Sequence, residues 1–566
     1  MSDIVDRMKA ALAQITSAGA PFELVTVDVD GRPCKAYKNA PRSVSELVNQ
    51  GRQHGDATFL VYQNERWTFN QFFRAVDTFT AKLQTVLGVG KGDRVAVAMR
   101  NRPEWAITFC AAINTGAVVI PVNSWSQREE LVHILGNAEP RVLICDNDRL
   151  AHVAADLDTL GCKVVAVDGP SGPDPACVIR YDALCASAAD PVAVDLGPDD
   201  PVMIMYTSGT TSGAKGVLSA NRAFCQAVTN IDCVGMAVAM TSPEKIKAMM
   251  ARGLQPSSLL AVPLFHVSGL QAQFIGALKG GRKLVIMYKW DIDTALDLIV
   301  SEQVTSLNLA PAMMQQLLTA PRFDRTDTSA INGAGFGGSA TPGHLIELAF
   351  AKLPMALPGT GYGMTESNAT ASSCTDLLFR EYPKSSGLVA PIVEVCCKDD
   401  LGNEIPRGQT GEICLRGITV MLGYWRNEAA TADTVRDGWL HTGDIGYVSA
   451  ENLIYVVDRI KDIVNRGGEK IATIEIESCV HQMPAVAEAA AFAVPDATYG
   501  EVVGVAVVPR EGATISAEEV KRHVAQHLAA YKVPAHVAVL EQTLPRNATG
   551  KVIKRALKDL VLGGQV

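Results

Sequence analysis

What this sequence lacks narrows its class before any motif does. Its 566 residues carry thirteen cysteines, an odd and scattered set with one adjacent pair, Cys396-Cys397, and no C-x-x-C. That usage argues against a disulfide framework or a zinc site and fits a reducing cytoplasm. Basic charge is not in excess: the net charge is -9, without the surplus that nucleic-acid binders usually show. No apolar run reaches about 18 residues without a polar interruption, so no transmembrane segment is expected. Ile107–Val122 comes nearest and contains Asn114 and Thr115. The opening Met1-Ser-Asp-Ile-Val-Asp6 has neither the basic region nor the apolar core of a signal peptide. Internal repeats and low-complexity tracts are missing too. What remains, 48% hydrophobic and 20% charged, is the composition of a globular enzyme. At this length one core is not enough, and roughly three to four domain-sized units are expected.

Residues 1–50 read as an N-terminal extension: an amphipathic helix, then an alternating strand Phe22–Val29 with a hairpin turn at Asp30-Gly31. From Thr58 strands alternate with helices. Phe59–Tyr62, Arg94–Met99, Val118–Val122, Val142–Cys145 and Val164–Val167 read as strands; 70–87, 104–115 and 128–137 read as helices. Such alternation predicts a parallel, doubly wound α/β sheet whose ligands sit at the carboxyl ends of the strands. A second α/β unit is expected from about residue 201, with strands Pro201–Met205, Leu259–His266, Lys283–Met287, Ser306–Leu309 and Ala330–Ile331. Four methionines within Met236–Met250 read as core filling, with a lid over an apolar pocket as the alternative. Residues 387–455, punctuated by Gly, Pro and Asp, read as a small β-rich subdomain. The charged break Asp458–Asp462 marks the boundary to a small α+β domain. The expected fold class is therefore α/β. A large N-terminal domain (51–458) holds two doubly wound subdomains and a β-rich one, and a small mobile α+β domain (459–566) follows.

Chemistry concentrates in a few stretches. Tyr206-Thr-Ser-Gly-Thr-Thr-Ser-Gly-Ala-Lys-Gly216 follows an apolar strand. Its glycines let backbone amides face a ligand, its hydroxyls donate hydrogen bonds, and Lys215 adds a point charge, which together suit nucleotide phosphates. A Walker A loop is excluded because Gly216, not Ser or Thr, follows the lysine. On composition alone a polar surface loop stays open. Pro358–Ser367 flanks Tyr362 with glycines and then offers Thr365 and Glu366, hard oxygen groups suited to phosphate and Mg²⁺. Gly333-Ala-Gly-Phe-Gly-Gly338 satisfies G-x-G-x-x-G, yet no clear βαβ unit is visible around it and no acid lies about 20 residues on, so a dinucleotide fingerprint is rejected. His441-Thr-Gly-Asp444 reads as an Asx-turn or a ligand carboxylate. Lys551, on composition a solvated charge, ends a turn-rich run. His266 reads as a core histidine. His523 and His527 share a helical face, but no third ligand is apparent.

Taken together and in order, these stretches resemble the ANL superfamily of adenylate-forming enzymes, in its acyl-CoA synthetase branch. The likeness spans about residues 55–560. Two loop positions depart from the common form: Ser212 stands where glycine is usual and Ala214 where proline is usual. The resemblance implies that Thr207, Ser208, Gly209, Thr210, Thr211 and Lys215 cradle ATP phosphates. Glu366, with Thr210, then faces Mg²⁺. Thr360, Gly361, Tyr362, Gly363 and Met364, with Gly338, Ser339 and Ala340, surround adenine and the α-phosphate, which Thr365 contacts. Asp444 and Arg459 hold the ribose. Gly335, Gly337 and His266 line the acyl site. Lys461 is the hinge, and Gly467, Gly468 and Lys470 pass the coenzyme A arm. Lys551 is the catalytic lysine, an ammonium bridging carboxylate and α-phosphate.

The implied activity is an ATP-dependent acid–CoA ligase yielding acyl-CoA, AMP and pyrophosphate, with a medium- or long-chain fatty acid as the expected substrate. An aryl acid, or transfer to a carrier protein, stays open. The expected partners are small molecules and not nucleic acid, with a homodimer as the possible assembly. A nucleotide-binding protein without turnover fits less well, since Lys551, Glu366 and Asp444 are all present.

Overall fold

The computed structural model describes residues 4–29, 31–169, 177–207, 214–338, 341–546 and 551–562. Two large sheets and one small one organise it. The first has eight strands, in the order Gly423–Tyr424, Lys215–Ala220, Pro201–Thr207, Val118–Pro121, Arg94–Ala98, Val142–Cys145, Lys163–Ala166, Val178–Arg180. From Pro201–Thr207 to Val178–Arg180 its neighbours run parallel. These strands are apolar without alternation because both faces of a parallel sheet are covered. Pro103–Asn114, with proline in its first turn, is buried along almost its whole length. Phe69–Thr85 starts on a capping box between Thr68 and Gln71.

The second sheet has fifteen strands. Its parallel centre runs Thr58–Tyr62, Lys283–Ile286, Ser257–Leu260, Ser306–Leu309, Gly333–Phe336, Leu357–Met364. Beyond Leu357–Met364 the sheet turns antiparallel, through Ala369–Thr375 and Gly387–Val389 to Leu453–Arg459, Trp439–Val448, Gly411–Gly417 and Val393–Lys398.

Several expectations change here. Thr58–Tyr62 belongs to the second sheet, and Pro201–Thr207 closes the first rather than opening the second. An unbroken apolar run says that a strand is buried but not which sheet buries it. Residues 387–455 are β-rich as expected; their strands continue the larger sheet beyond Leu357–Met364, except Gly423–Tyr424, which joins the first sheet. The strand expected over Leu259–His266 stops at Leu260, and the chain turns into a π-helix, Ser268–Ile275. A Cβ on Gly269 would stand 2.1 Å from the Pro263 carbonyl oxygen, so only glycine permits that turn. The strand expected at Ala330–Ile331 forms three residues later, at Gly333–Phe336. With the helix Gly343–Lys352 and the parallel strand Leu357–Met364 it makes a βαβ unit around the G-x-G-x-x-G. Its first glycines lie inside the strand, not in the turn where a pyrophosphate would sit.

The helix Ile4–Thr16 is no loose extension. Ile4, Val5, Met8, Leu12 and Ile15 are buried in the core under the larger sheet. Five such side chains are worth on the order of 5–10 kcal/mol of apolar burial. Strands Leu24–Val29 and Arg32–Tyr37 form the expected hairpin, with Gly31 at φ +75°. Asp30 lies outside the described residues. The helix packs on Asn221–Thr241, whose 21 residues and mean hydropathy of 1.4 suffice to cross a membrane by length and composition. No such segment was expected. Most of its apolar stretch is covered by protein, and Asn230 accepts a 2.8 Å bond from the Tyr37 hydroxyl, as a core helix would. Met236, Met240 and Met250 remain exposed and do not fill the core.

Residues beyond 463 build around a five-stranded sheet of Glu469–Ile471, Val464–Arg466, Gly500–Pro509, Val486–Asp496 and His536–Val539. The helix Lys554–Leu562 packs on Val486–Asp496.

Candidate active site

The site lies where the larger sheet changes from parallel to antiparallel. Leu357–Met364 carries Thr360, Gly361, Tyr362, Gly363 and Met364 up to a tight turn, Thr365–Ser367. At Gly363 a Cβ would stand 1.6 Å from the Ala369 carbonyl oxygen, a hard clash with backbone. Thr360 donates to the Phe336 carbonyl at 3.3 Å, holding this strand against the one that bears Gly335.

The Tyr362 hydroxyl donates to Asp444 Oδ2 at 2.8 Å. Arg459 Nε stands 3.1 Å from Oδ1 of the same carboxylate, and Asp444 and Arg459 face each other across paired strands. Burial, with the Asp444 charge beside it, pushes the Tyr362 phenol well above its ordinary pKa, so it stays a neutral donor. The carboxylate thereby keeps one orientation, with lone pairs left for further donors such as sugar hydroxyls.

Glu366 is buried, and burial raises its pKa against the opposing pull of Tyr424, Arg459 and Lys215. The Tyr424 hydroxyl donates to Glu366 Oε1 at 2.9 Å, and Lys215 Nζ lies 5.1 Å from the centre of the Tyr424 ring. Tyr424 was not foreseen. Its strand pairs with Lys215–Ala220, which brings it under the loop. Thr207 and Lys215 are cross-strand partners at the base of that loop. Ser208, Gly209, Thr210 and Thr211 lie outside the described residues, as do Ser339 and Ala340.

Lys551 comes from the C-terminal part. Burial lowers its pKa to about 8; Arg459 and Lys461 push the same way, while Asp444 and Glu366 oppose them. It therefore shares one electrostatic environment with the nucleotide-side carboxylates. His266 feels it too: burial first, then Lys551, lowers that imidazole to about 3, so it is neutral. His266 Nε2 is buried without a hydrogen-bond partner among the described residues. Three residues beyond Lys551, Lys554 donates to Thr473 Oγ1 at 2.6 Å and pairs with Glu477 at 2.9 Å. Asp458, beside Arg459, accepts from the Thr473 hydroxyl at 2.8 Å, tying the end of Leu453–Arg459 to the same threonine.

Toward the acyl side Phe265 packs its ring 4.3 Å from His266 and 5.6 Å from Trp125. Arg100 lies over Trp125 at 4.6 Å. The first π-helical turn presents Gln271, fully buried, with neither amide atom bonded among the described residues. Gly335 and Gly337 leave bare backbone next to Asn308; Gly338 follows at φ +88°. Trp125, Arg100 and Asn308 had no sequence signal: Arg100 and Trp125 follow the carboxyl ends of Arg94–Ala98 and Val118–Pro121, Asn308 lies inside Ser306–Leu309, and the partners of these strands were unknown.

Not every expected residue is gathered. Gly467 and Gly468 form the tip of an exposed hairpin, and Lys470 pairs with Asp400 at 2.8 Å. Lys461 is exposed in the connection between Leu453–Arg459 and Val464–Arg466. His523 and His527, read as surface residues for want of a third ligand, stand with the Cys479 sulfur within 4.8 Å of their ring nitrogens.

The family and the relatives this chain matches make it an acid–CoA ligase. The chain belongs to the AMP-binding enzymes, the ANL superfamily: the family described as "AMP-binding enzyme" matches residues 47–425 and "AMP-binding enzyme C-terminal domain" matches 475–551. It is 32% identical to 4-coumarate–CoA ligase 3 of Oryza sativa subsp. japonica over 488 residues, 84% of each chain. It is 34% identical to indoleacetate–CoA ligase of Aromatoleum aromaticum, covering 84% of this chain and 89% of that one. Among solved structures, o-succinylbenzoate CoA synthetase (MenE) of Bacillus subtilis with its acyl-adenylate superposes with a TM-score of 0.74 at 27% identity, over 91% of this chain and 97% of that one.

Proposed function

We propose that this ligase activates a ring-bearing carboxylic acid. The observation that carries the adenylating step is that Lys551 is buried within electrostatic range of Glu366, Asp444, Arg459 and His266. A carboxylate oxygen attacks the α-phosphorus of ATP, the bond to the β-phosphate bridging oxygen breaks, and pyrophosphate leaves. Lys551, as an ammonium, offsets the charge that gathers between the two anions. Neutral His266 lets the carboxylate approach without pairing to it. The C-terminal part then turns about Lys461, withdrawing Lys551 and presenting Gly467, Gly468 and Lys470. Coenzyme A sulfur attacks the acyl carbonyl, AMP leaves, and the thiol proton passes to solvent.

Hard oxygen donors at Glu366 and Thr365 fit Mg²⁺, which Glu366 would hold with Thr210, and which would neutralise phosphate charge when bound. All thirteen cysteines are free thiols, which suits a reducing cytoplasm as the working compartment.

For the acid, a ring is favoured by the bare backbone at Gly335 and Gly337 and by relatives named for coumarate and indoleacetate. A medium- or long-chain fatty acid is the second reading, favoured by the absence of side chains at Gly333 and Gly335 on one face of their strand. Pyrophosphate release measured with aryl, alicyclic and fatty acids, with and without coenzyme A, tests both. Preference for ring acids with thioester formed supports the proposal. Preference for fatty chains overturns the substrate class, and adenylate that ignores coenzyme A shifts the acceptor to a carrier protein.

A further inference from the structure

Three neighbouring strands of the larger sheet place a run of ligating side chains directly opposite one another. Cys396 is the cross-strand partner of Cys414, and Cys414 is the cross-strand partner of His441. Residues opposite each other in antiparallel strands project to the same face. A register shift between Glu412 and Cys414 brings the Glu412 carboxylate to the same spot: Oε2 stands 2.6 Å from His441 Nδ1. The Cys414 sulfur lies 3.6 Å from that same nitrogen. Ligand atoms of Glu412, Cys414 and His441 all fall within 4.8 Å of one another; the Cys396 sulfur stands outside that group and, as the cross-strand neighbour of Cys414, must turn inward to become the fourth ligand. Cys396, Cys414 and His441 are each less than a tenth exposed. None of the four takes part in the chemistry described above, although His441 precedes the ribose carboxylate Asp444 by only three residues.

We propose that Cys396, Cys414, His441 and Glu412 form a binding site for one thiophilic divalent cation of the zinc type. Two thiolates, one imidazole and one carboxylate satisfy a closed tetrahedral site. Zinc–sulfur and zinc–nitrogen bonds of about 2.3 and 2.05 Å at a tetrahedral angle separate sulfur from nitrogen by about 3.5 Å, close to the spacing already present. The carboxylate must retreat by roughly 0.8 Å to leave room for the ion, since the same arithmetic places nitrogen and oxygen about 3.4 Å apart. Binding replaces two S–H bonds by two metal–sulfur bonds and sends two protons to solvent, with no change in oxidation state. The outer sphere is present as well. Gly443 N–H donates to Glu412 Oε1 at 3.1 Å, so a metal on Oε2 leaves that bond in place and pins the turn leading to Asp444. Spacing rules overlook such a site because its ligands come from three strands and not from one C-x-x-C loop.

The test uses the full-length, reduced, chelator-stripped enzyme titrated with Co²⁺ as the probe. One equivalent is expected to produce thiolate-to-cobalt absorption in the near ultraviolet, with tetrahedral bands in the visible and two protons released. Cys396→Ser and Cys414→Ser are each expected to abolish the thiolate absorption. Cys397→Ser, one residue along the strand, and His527→Ala, in the separate Cys479–His523–His527 cluster, are expected to keep it. Zn²⁺ should raise the melting temperature of the wild type and not of Cys414→Ser. Absence of thiolate absorption in the wild type overturns the proposal whatever the variants do. Its survival in Cys414→Ser, or its loss in His527→Ala, overturns it equally.

Discussion

The nucleotide end and the acyl end of this site are built on opposite plans. At the nucleotide end most buried polar groups answer one another: Tyr362 to Asp444, Asp444 to Arg459, Tyr424 to Glu366, Lys215 over Tyr424, with Asn368 Oδ1 and His441 Nε2 as exceptions among the described residues. At the acyl end Gln271 and His266 Nε2 are buried without partners among the described residues. Leaving a buried polar group unpaired costs about 1–3 kcal/mol. A paired network is preorganised for one ligand that never changes. Unpaired groups are affordable where a variable ligand completes them. The contrast explains why the chemistry is common to a superfamily while the acid is particular to a chain.

Breaking the nucleotide end has the largest effect, and Lys551 is its most sensitive point. Lys551→Ala is expected to slow adenylate formation by about 10²–10³-fold, the scale for losing one preorganised charge-stabilising donor. Thioester formation from supplied acyl-adenylate should survive; equal loss in both half-reactions would refute the division of labour. The pH dependence follows from the depressed pKa. The active form is the ammonium, so kcat/KM for adenylation, which reports the free enzyme, falls as pH rises through about 8. Bound phosphates favour the ammonium, so kcat should hold to higher pH. A kcat/KM profile still flat at pH 9 would contradict the burial of Lys551.

Asp444→Asn comes next. It keeps the shape but removes the charge that Arg459 and Tyr362 face. Losing one charge-assisted interaction of about 1.5–3 kcal/mol corresponds to roughly 10–100-fold in kcat/KM for ATP, at 1.4 kcal/mol per decade. KM for the acid should hardly move. A variant in which the acid and ATP terms weaken together would show that the two ends are not separable.

How far each end was legible follows the same division. Motif residues contiguous in sequence, Tyr362 through Glu366 and His441 through Asp444, could be read because their neighbours along the chain are also their neighbours in space. Tyr424 could not, because its place under the loop depends on pairing Gly423–Tyr424 with Val217-Leu218, about two hundred residues away. The strands themselves were mostly found, but Thr58–Tyr62 and Pro201–Thr207 were given to the wrong sheets, because burial on both faces erases the alternation that would mark a face. Leu259–His266 was over-extended since its apolar composition continues past Leu260, and only Gly269 against Pro263 forces the turn. Gln271 left no trace: a buried amide and a solvated one look alike in a sequence.

Gln271 therefore offers the finest test of the contrast. It sits on the π-helix Ser268–Ile275, a helix type that recurs at functional sites, and it is fully buried with both amide atoms unpaired. If those atoms await a polar substituent on the acid, Gln271→Leu removes a cost from the free enzyme and a partner from the complex. The free protein should then melt higher, by an amount equivalent to about 1 kcal/mol or somewhat more. KM should rise roughly fivefold for acids bearing a ring hydroxyl and stay level for the matched unsubstituted acids, with the ATP terms unchanged. A higher melting temperature with no change in that acid ratio would mean that the amide faces the interior and not the substrate. An unchanged melting temperature would mean that a water already pairs it, and the acyl end would then be as fully satisfied as the nucleotide end.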